Sequence, residues 1–126
     1  MPDAPIRTLL VDDEPLAIER LQILAARLPA LHIVGSAHDA ASALRLIEAF
    51  APELLLLDIA MPGLSGIELA RQLAATTAPP LVIFVTAFDS YAVAAFDVAA
   101  VDYLLKPIDP ERLERAVDRA LAARAA

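Results

Sequence analysis

The chain lacks cysteine and is poor in positive charge, and both absences narrow its function. Its 126 residues contain no cysteine, which excludes a disulfide framework and a thiolate metal site. Lys and Arg together number 10 against 17 Asp and Glu, so the formal net charge is -7. Because such an acidic surface repels phosphate backbones, direct nucleic-acid binding by this chain is not expected.

Long apolar segments are absent as well. Asp3 and Arg7 interrupt any apolar region at the N-terminus, so no signal peptide is predicted. No uninterrupted apolar stretch is long enough to span a bilayer. There is no charge block, low-complexity tract or solenoid repeat. We therefore expect one cytoplasmic domain over residues 1–126, with one core and no membrane contact.

The chain is organised around four consecutive leucines that lead into one carboxylate. Leu54 to Leu57 precede Asp58, and the turn residues Pro62 and Gly63 follow. A short apolar run bounded by turn signals is typical of a strand buried on both faces of a parallel sheet. Asp58 then lies at the rim formed by the carboxyl ends of the strands, where ligands bind in open α/β folds.

Apolar runs of this kind alternate with segments of helical periodicity along the whole chain. The predicted strands are Ile6 to Val11, His32 to Ala37, Leu54 to Asp58, Leu81 to Val85 and Asp102 to Leu105. The predicted helices start near Pro15, Asp39, Ser65, Asp89-Ser90 and Asp109-Pro110, at residues that favour caps and first turns. Five β-α units predict an α/β fold, a five-stranded parallel sheet with helices on both faces. The expected strand order is the flavodoxin-like 2-1-3-4-5.

Polar side chains follow four of the five predicted strands. Asp12 and Asp13 follow the first strand, Asp58 the third, Thr86 the fourth and Lys106 the fifth. Three carboxylates at one sheet edge repel one another unless a cation intervenes, and hard oxygen ligands suit Mg²⁺. Metal, ammonium and hydroxyl together suit a phosphoryl group, with a carboxylate as its nucleophilic acceptor.

Each of these residues alone has an ordinary explanation. An Asp after a strand usually caps a turn or the next helix, which would suffice for Asp13 or Glu14 taken singly. Thr86 alone is compatible with a strand residue, and Lys106 with a solvated strand end. Their occurrence together, each at the carboxyl end of a strand, is much harder to explain as capping.

These residues lie in segments that closely resemble the receiver domains of two-component response regulators. The resemblance covers nearly the whole chain, and four segments carry it: Val11-Asp12-Asp13-Glu14-Pro15, Leu57-Asp58-Ile59-Ala60-Met61-Pro62-Gly63-Leu64-Ser65-Gly66, Val85-Thr86-Ala87 and Tyr103-Leu104-Leu105-Lys106-Pro107. It implies a non-enzymatic signalling switch, limited to self-catalysed phosphoryl transfer and autodephosphorylation.

The resemblance also implies a role for individual residues. Asp58 would accept a phosphoryl group from the phosphohistidine of a sensor histidine kinase. Asp13, Asp58 and the main-chain carbonyl of Ala60 would bind Mg²⁺ directly, and Asp12 would help mostly through water.

Two further roles concern the residues beyond that cation site. Lys106 would contact the phosphoryl group, with Pro107 after a cis peptide bond. Thr86 and Tyr103 would form the coupled switch pair.

Two longer segments favour one subgroup of this family. Thr86 to Ala92 and Phe96 to Ile108 look most like receivers that carry a C-terminal LytTR DNA-binding domain, which would control transcription. That effector domain is absent from residues 1–126, so the chain is either an excised receiver or a stand-alone one.

The segment Tyr91 to Val101 is apolar almost all round and predicts a contact with another protein. With Asp97 outward, helical geometry over this segment exposes Val93, Ala94 and Ala100 and turns Tyr91, Ala95 and Ala99 to the sheet. Since Arg112, Arg115 and Arg119 form a basic stripe on the last helix, Asp97 and Asp102 of a second copy could reach it. We expect a weak homodimer, strengthened by phosphorylation, through the fourth helix, fifth strand and fifth helix.

Two other functions remain open at this point. A haloacid-dehalogenase-type phosphatase also uses an Asp, Mg²⁺, a Thr or Ser and a Lys, but its nucleophile follows the first strand. A pseudo-receiver would lack one of the key residues, and none is missing here. His32 and His38 are not expected at the rim and are given no phosphotransfer role.

Overall fold

The computed structural model describes residues 4–88 and 92–126, and at residues 92, 93 and 96 it describes the backbone alone. Strands and helices alternate along this chain. They are β1 (Ile6–Val11), α1 (Pro15–Ala25), β2 (Leu31–Ala37), α2 (Ala40–Phe50), β3 (Leu54–Leu57), α3 (Gly66–Ala74), β4 (Leu81–Thr86), α4 (Ala92–Asp97), β5 (Asp102–Leu105) and α5 (Pro110–Ala125). No helix in this part of the chain combines the length and the apolar character that crossing a membrane requires.

The strands form one parallel sheet in the order β2-β1-β3-β4-β5, so the predicted topology is confirmed. The outer strands β2 and β5 each pair on one side only. Because all strands run in the same direction, their carboxyl ends share one edge of the sheet, which places the residues after β1, β3, β4 and β5 near one another.

The chain has two clusters of buried apolar residues, one on each face of the sheet, and not the single core that was expected, because side chains alternate along each strand. In β3, Leu54 and Leu56 pack with α1 and α5, whereas Leu55 and Leu57 pack with α2, α3 and α4. All four leucines are fully buried. A strand buried on both faces needs apolar residues at every position, which explains the unbroken leucine run. Helices therefore cover both faces of the sheet, as expected.

Two predicted helix caps are confirmed. The Asp39 carboxylate accepts a hydrogen bond from the Ser42 amide at 2.7 Å, and the Ser65 hydroxyl accepts one from the Glu68 amide at 3.3 Å. Both bonds satisfy amides that the first turn of a helix leaves unpaired.

Several apolar residues of the predicted helical stripes lie at the surface instead of in the core. Helix α1 ends at Ala25, before Pro29, and its buried stripe is Ile18, Leu21, Leu24 and Ala25. The exposed residues are Leu16, Ile23, Leu44 and Phe50. Apolar spacing predicts that a helix has a buried stripe. When apolar residues also occur on the opposite face, the spacing does not determine which face is buried.

The fourth helix ends earlier than predicted. It ends at Asp97, because Ala99 adopts a left-handed conformation with φ 58° that no helix continues through. Ala95 is buried and Asp97 is exposed, as expected. The orientation predicted for three alanines is wrong: Ala99 is exposed, while Ala94 and Ala100 are partly buried against the core. The cap at Asp89-Ser90, the position of Tyr91 and the side chain of Val93 lie outside the described residues.

Candidate functional site

The carboxyl edge of the sheet collects the polar residues that the sequence singles out. Asp12 follows β1, Asp58 follows β3 and Thr86 ends β4, and all three side chains are buried. Main-chain hydrogen bonds extend the sheet to this edge: the Asp58 amide donates to the Val11 carbonyl at 2.9 Å, and the Lys106 amide donates to the Thr86 carbonyl at 2.8 Å. These hydrogen bonds fix the main-chain positions of Asp58, Thr86 and Lys106.

The ammonium group of Lys106 lies among three carboxylates. Its Nζ is 2.7 Å from Asp12 Oδ2, 3.3 Å from Glu14 Oε1 and 3.7 Å from Asp58 Oδ2. Burial disfavours the charged ammonium, but the hydrogen bond to Asp12 and the neighbouring negative charges outweigh it and raise the pKa of Lys106. The lysine therefore stays protonated and acts as the internal counterion of the acidic cluster.

Asp58 is a carboxylate in a site that disfavours negative charge. Burial and the charge of Asp12 raise its pKa to about 6, although the charge of Lys106, the Ile59 amide and the Thr86 hydroxyl oppose that rise. Its Oδ1 accepts the Ile59 amide at 2.8 Å, which orients the group. One internal cation does not fully compensate this crowding, so the site favours an additional cation.

Asp12, Glu14 and Asp58 offer carboxylate oxygens that all lie within 4.8 Å of one another. Three hard oxygen donors at this spacing fit Mg²⁺, so the donor set is compatible with the expected metal. Asp13 is half-buried on the same loop, but its carboxylate is not a member of this group. Ala60 is exposed on the loop after β3.

Glu14 is the site member that sequence reasoning missed. It occupies the N-cap position of α1, yet its side chain forms no capping hydrogen bond. Instead it reaches Lys106, while its amide donates to Asp12 Oδ1 at 2.9 Å. The three consecutive acidic residues before Pro15 could have indicated this role. Glu14 was instead interpreted as an ordinary helix cap, because acidic residues are common at that position.

The predicted switch pair, Thr86 and Tyr103, is connected through the main chain of Phe88. The Thr86 hydroxyl accepts a hydrogen bond from the Phe88 amide at 3.4 Å, and the Tyr103 hydroxyl donates to the Phe88 carbonyl. The Tyr103 ring also packs near that of Phe84, with 6.4 Å between the ring centroids. A change at Thr86 can therefore reach Tyr103 through one residue.

The loop after Asp58 is held by a contact that only glycine allows. A Cβ atom added to Gly66 would lie 2.1 Å from the main-chain carbonyl oxygen of Asp58. The Gly66 amide donates to the Ile59 carbonyl at 2.9 Å, so the first residue of α3 is fixed against the main chain of Asp58 and Ile59. The peptide bond between Lys106 and Pro107 is cis, as expected.

One histidine lies closer to the site than predicted. His38 directly follows β2, and its Nδ1 is 3.3 Å from the main-chain carbonyl oxygen of Asp12. The expectation that neither histidine lies at the rim is therefore wrong for His38. His32 lies at the other end of the same strand and is exposed.

Comparison with known proteins identifies the family of this chain and several of its relatives. The family described as the response regulator receiver domain matches residues 8–118. The positive alginate biosynthesis regulatory protein of Pseudomonas aeruginosa is 47% identical over 116 residues, which cover 91% of this chain and 47% of that protein. The transcriptional regulatory protein BtsR of Salmonella typhi is 45% identical over 114 residues, which cover 90% of this chain and 47% of that protein.

Solved structures show the same fold. The response regulatory domain of protein MrkE from Klebsiella pneumoniae superposes with a TM-score of 0.86 at 31% identity, covering 94% of this chain and 97% of that one. This chain spans about half the length of the curated relatives described above.

Proposed function

Because the chain belongs to the response regulator receiver domain family of two-component signalling, we propose that it is a cytoplasmic phosphorylation-activated switch. In this proposal Asp58 accepts a phosphoryl group from the phosphohistidine of a sensor histidine kinase. The observation that carries the proposal is the convergence of a buried carboxylate, an ammonium and a buried hydroxyl at one sheet edge. Phosphoryl transfer to a carboxylate requires such a nucleophile, together with groups that stabilise the charge on the phosphoryl oxygens.

Each residue has a distinct role in the proposed transfer. The Asp58 carboxylate is the nucleophile, and a pKa of about 6 leaves it mostly ionised at neutral pH. An oxygen of Asp58 forms the new bond to phosphorus as the bond to the histidine nitrogen breaks. Lys106 and the Thr86 hydroxyl each bind one of the phosphoryl oxygens and thereby stabilise their charge.

Mg²⁺ is the proposed cofactor, and when bound it supplies charge neutralisation at the phosphoryl oxygens. The ligands assigned by family resemblance are Asp13, Asp58 and the Ala60 carbonyl, with Asp12 acting mostly through water. The cluster of carboxylates in the structure adds Glu14 as a further candidate ligand of the same site. Since Lys106 contacts Asp12 and Glu14, these two carboxylates bind it until another cation competes.

The direct test is incubation with Mg²⁺ and acetyl phosphate, followed by intact-mass measurement. The wild-type protein should gain one phosphoryl group, because Asp58 is the only acceptor proposed. Asp58→Asn should gain none, and a chelator should abolish the gain in the wild-type protein. The matched control is Asp39→Asn, which removes an exposed capping carboxylate from α2 and should leave labelling unchanged.

The same experiment distinguishes the alternative functions. Labelling that survives in Asp58→Asn, or that maps to His32 or His38, would contradict the proposed acceptor. Repeated turnover of a phosphate ester would favour a phosphatase, whereas stoichiometric labelling supports a receiver. A wild-type protein that is never labelled would behave as a pseudo-receiver.

The proposed response to phosphorylation is a coupled movement of Thr86 and Tyr103. When the Thr86 hydroxyl turns toward the phosphoryl group, it gives up the Phe88 amide, which is its partner in the present structure. The Tyr103 ring then fills the space that the hydroxyl leaves. The contact between Tyr103 and the Phe88 carbonyl supports this coupling, since one residue contacts both members of the pair.

The proposed output is transcriptional control. The subgroup is that of LytTR-containing regulators, and residues 1–126 form its receiver domain, with the C-terminal DNA-binding domain outside this chain. The support is the sequence of Thr86 to Ala92 and Phe96 to Ile108, together with relatives that are named as regulatory proteins. The receiver itself contacts no nucleic acid in this proposal.

Phosphorylation also promotes a weak homodimer through α4, β5 and α5. Not all the charged residues that were expected to make that contact are available for it. Asp102 is paired with Arg112 and Arg119 of its own chain, at 3.1 Å and 3.0 Å. Exposed Asp97 and Arg115 thus remain for contacts between copies, and within the described part of the chain Arg115 forms no ion pair.

A further inference from the structure

The loop that carries Asp12 is attached to edge strand β2 at two successive points. The β1–β2 ladder ends with Val11 opposite Ala37, and the Asp12 amide then donates to the Ala37 carbonyl at 3.0 Å. The next main-chain group, the Asp12 carbonyl, meets the imidazole Nδ1 of His38 at 3.3 Å. Both backbone groups of Asp12 are therefore held by consecutive residues at the end of β2.

The chemistry of the two atoms fixes the direction of the second contact. A main-chain carbonyl only accepts hydrogen bonds, so Nδ1 of His38 must carry the proton that it donates. The neutral ring is then in its Nδ1–H form, and Nε2 has no hydrogen. The carbonyl belongs to the peptide that joins Asp12 to Asp13, and the Glu14 amide after that peptide is bonded to Asp12 Oδ1.

We infer that His38 is a positioning residue for the acidic loop: by fixing the Asp12–Asp13 peptide, it arranges the carboxylates of residues 12–14 for a divalent cation. The inference rests on the proposed function only for the identity of that cation. It assigns His38 no contact with the phosphoryl group. The ladder cannot replace the contact, because it ends one residue earlier.

The test compares His38→Ala, His38→Asn and the control His32→Ala, all in the same buffer. His32 is exposed on the same strand but pairs opposite Arg7, far from the site. Asn is the conservative variant, since its amide places a donor near the position of Nδ1. Calorimetric titration with Mg²⁺ should give a dissociation constant roughly threefold higher for His38→Ala, about the loss of one modest hydrogen bond. His38→Asn should recover most of that loss, and His32→Ala should match the wild-type protein.

Two measurements on the metal-free protein complete the test. The ¹⁵N spectrum of the wild-type protein should show the Nδ1–H form of His38, and amide exchange at Glu14 should be roughly threefold faster in His38→Ala. With acetyl phosphate, the Mg²⁺ concentration for half-maximal labelling should rise in His38→Ala while the rate at saturating Mg²⁺ stays unchanged.

Unchanged exchange and unchanged Mg²⁺ affinity in His38→Ala, or an Nε2–H ring in the wild-type protein, would overturn the inference. Failure of Asp58 to accept phosphate would contradict the proposed function instead. It would leave the exchange and ¹⁵N measurements as independent tests of His38.

Discussion

Asp58 lies where a negative charge is unfavourable. Its carboxyl group is nearly fully buried beside Asp12, and these two causes raise its pKa from 3.8 to about 6. A carboxyl group that binds its proton more tightly in the folded state stabilises that state below its unfolded pKa. The contribution is lost as pH rises through about 6, so ionised Asp58 lowers the free energy of unfolding of the metal-free protein.

We therefore expect Asp58→Asn to be more stable than the wild-type protein well above pH 6. In the presence of a chelator, the free energy of unfolding should rise by on the order of 1–2 kcal/mol, and the difference should become much smaller as pH falls toward about 4. Urea unfolding of both proteins at the two pH values measures this. Equal stability at the higher pH would contradict it.

Asp39→Asn is a control of opposite sign. Hydrogen bonds from Ser42 hold the pKa of Asp39 below its usual value, so its ionised form stabilises the fold. That contribution is present above the unfolded pKa and is lost as pH falls through the folded one. The substitution should therefore reduce stability at neutral pH.

At the scale of elements, Asp102 connects the edge strand β5 to helix α5. Its largely buried carboxylate binds Arg112 and Arg119, and Oδ1 also accepts the Tyr103 amide at 2.8 Å. The two arginines lie seven residues apart on one face of α5, so a single carboxylate holds about two turns of the helix.

Asp102→Asn should reduce the free energy of unfolding by about 1–2 kcal/mol, since it weakens charge-assisted hydrogen bonds to two partners. Asp118→Asn is the matched control, because it makes the same substitution at an exposed position of α5. Urea unfolding gives the stabilities, and amide exchange should show faster opening of α5 in Asp102→Asn only. The same loss in both variants would show that the pairing contributes nothing specific.

Elements that depend on local pattern were predictable from sequence, and contacts that depend on packing angles were not. The strands and the residues Asp12, Asp58, Thr86 and Lys106 follow from apolar runs and from the shared carboxyl edge of a parallel sheet. The pairing of Asp102 within its own chain depends on how α5 crosses β5, which periodicity does not encode. The contact of His38 depends on where the β1–β2 ladder ends, and that depends on a register shift between Thr8 and Leu9, where β2 contains one extra residue.

At the scale of the whole molecule, the α4-β5-α5 surface is the proposed contact between copies. Arg115→Glu should weaken a dimer that forms in the presence of beryllofluoride, because Arg115 would otherwise meet an acidic residue of the partner. The control is Arg71→Glu, which makes the same charge change at an exposed position of α3, outside the proposed α4-β5-α5 surface. Arg119 is a poorer choice than Arg115, since its loss also removes one of the two arginines that pair with Asp102.

Sedimentation velocity with and without beryllofluoride measures the dimer. We expect a larger dimer fraction with beryllofluoride in the wild-type protein and in Arg71→Glu, and a clearly smaller one in Arg115→Glu. A monomer under both conditions would refute the proposed dimer. A dimer that Arg115→Glu and Arg71→Glu affect equally would place the contact elsewhere.

The packing of Gly66 against the Asp58 carbonyl also has a mechanical consequence. Side chains in contact can absorb a small displacement by changing rotamer, whereas two main chains in contact have no such freedom. A shift of the Asp58 peptide toward α3 must therefore carry the first turn of that helix with it. Because α3 runs from Gly66 to Ala74, we expect such a shift to move the helix as a whole and not one side chain of it.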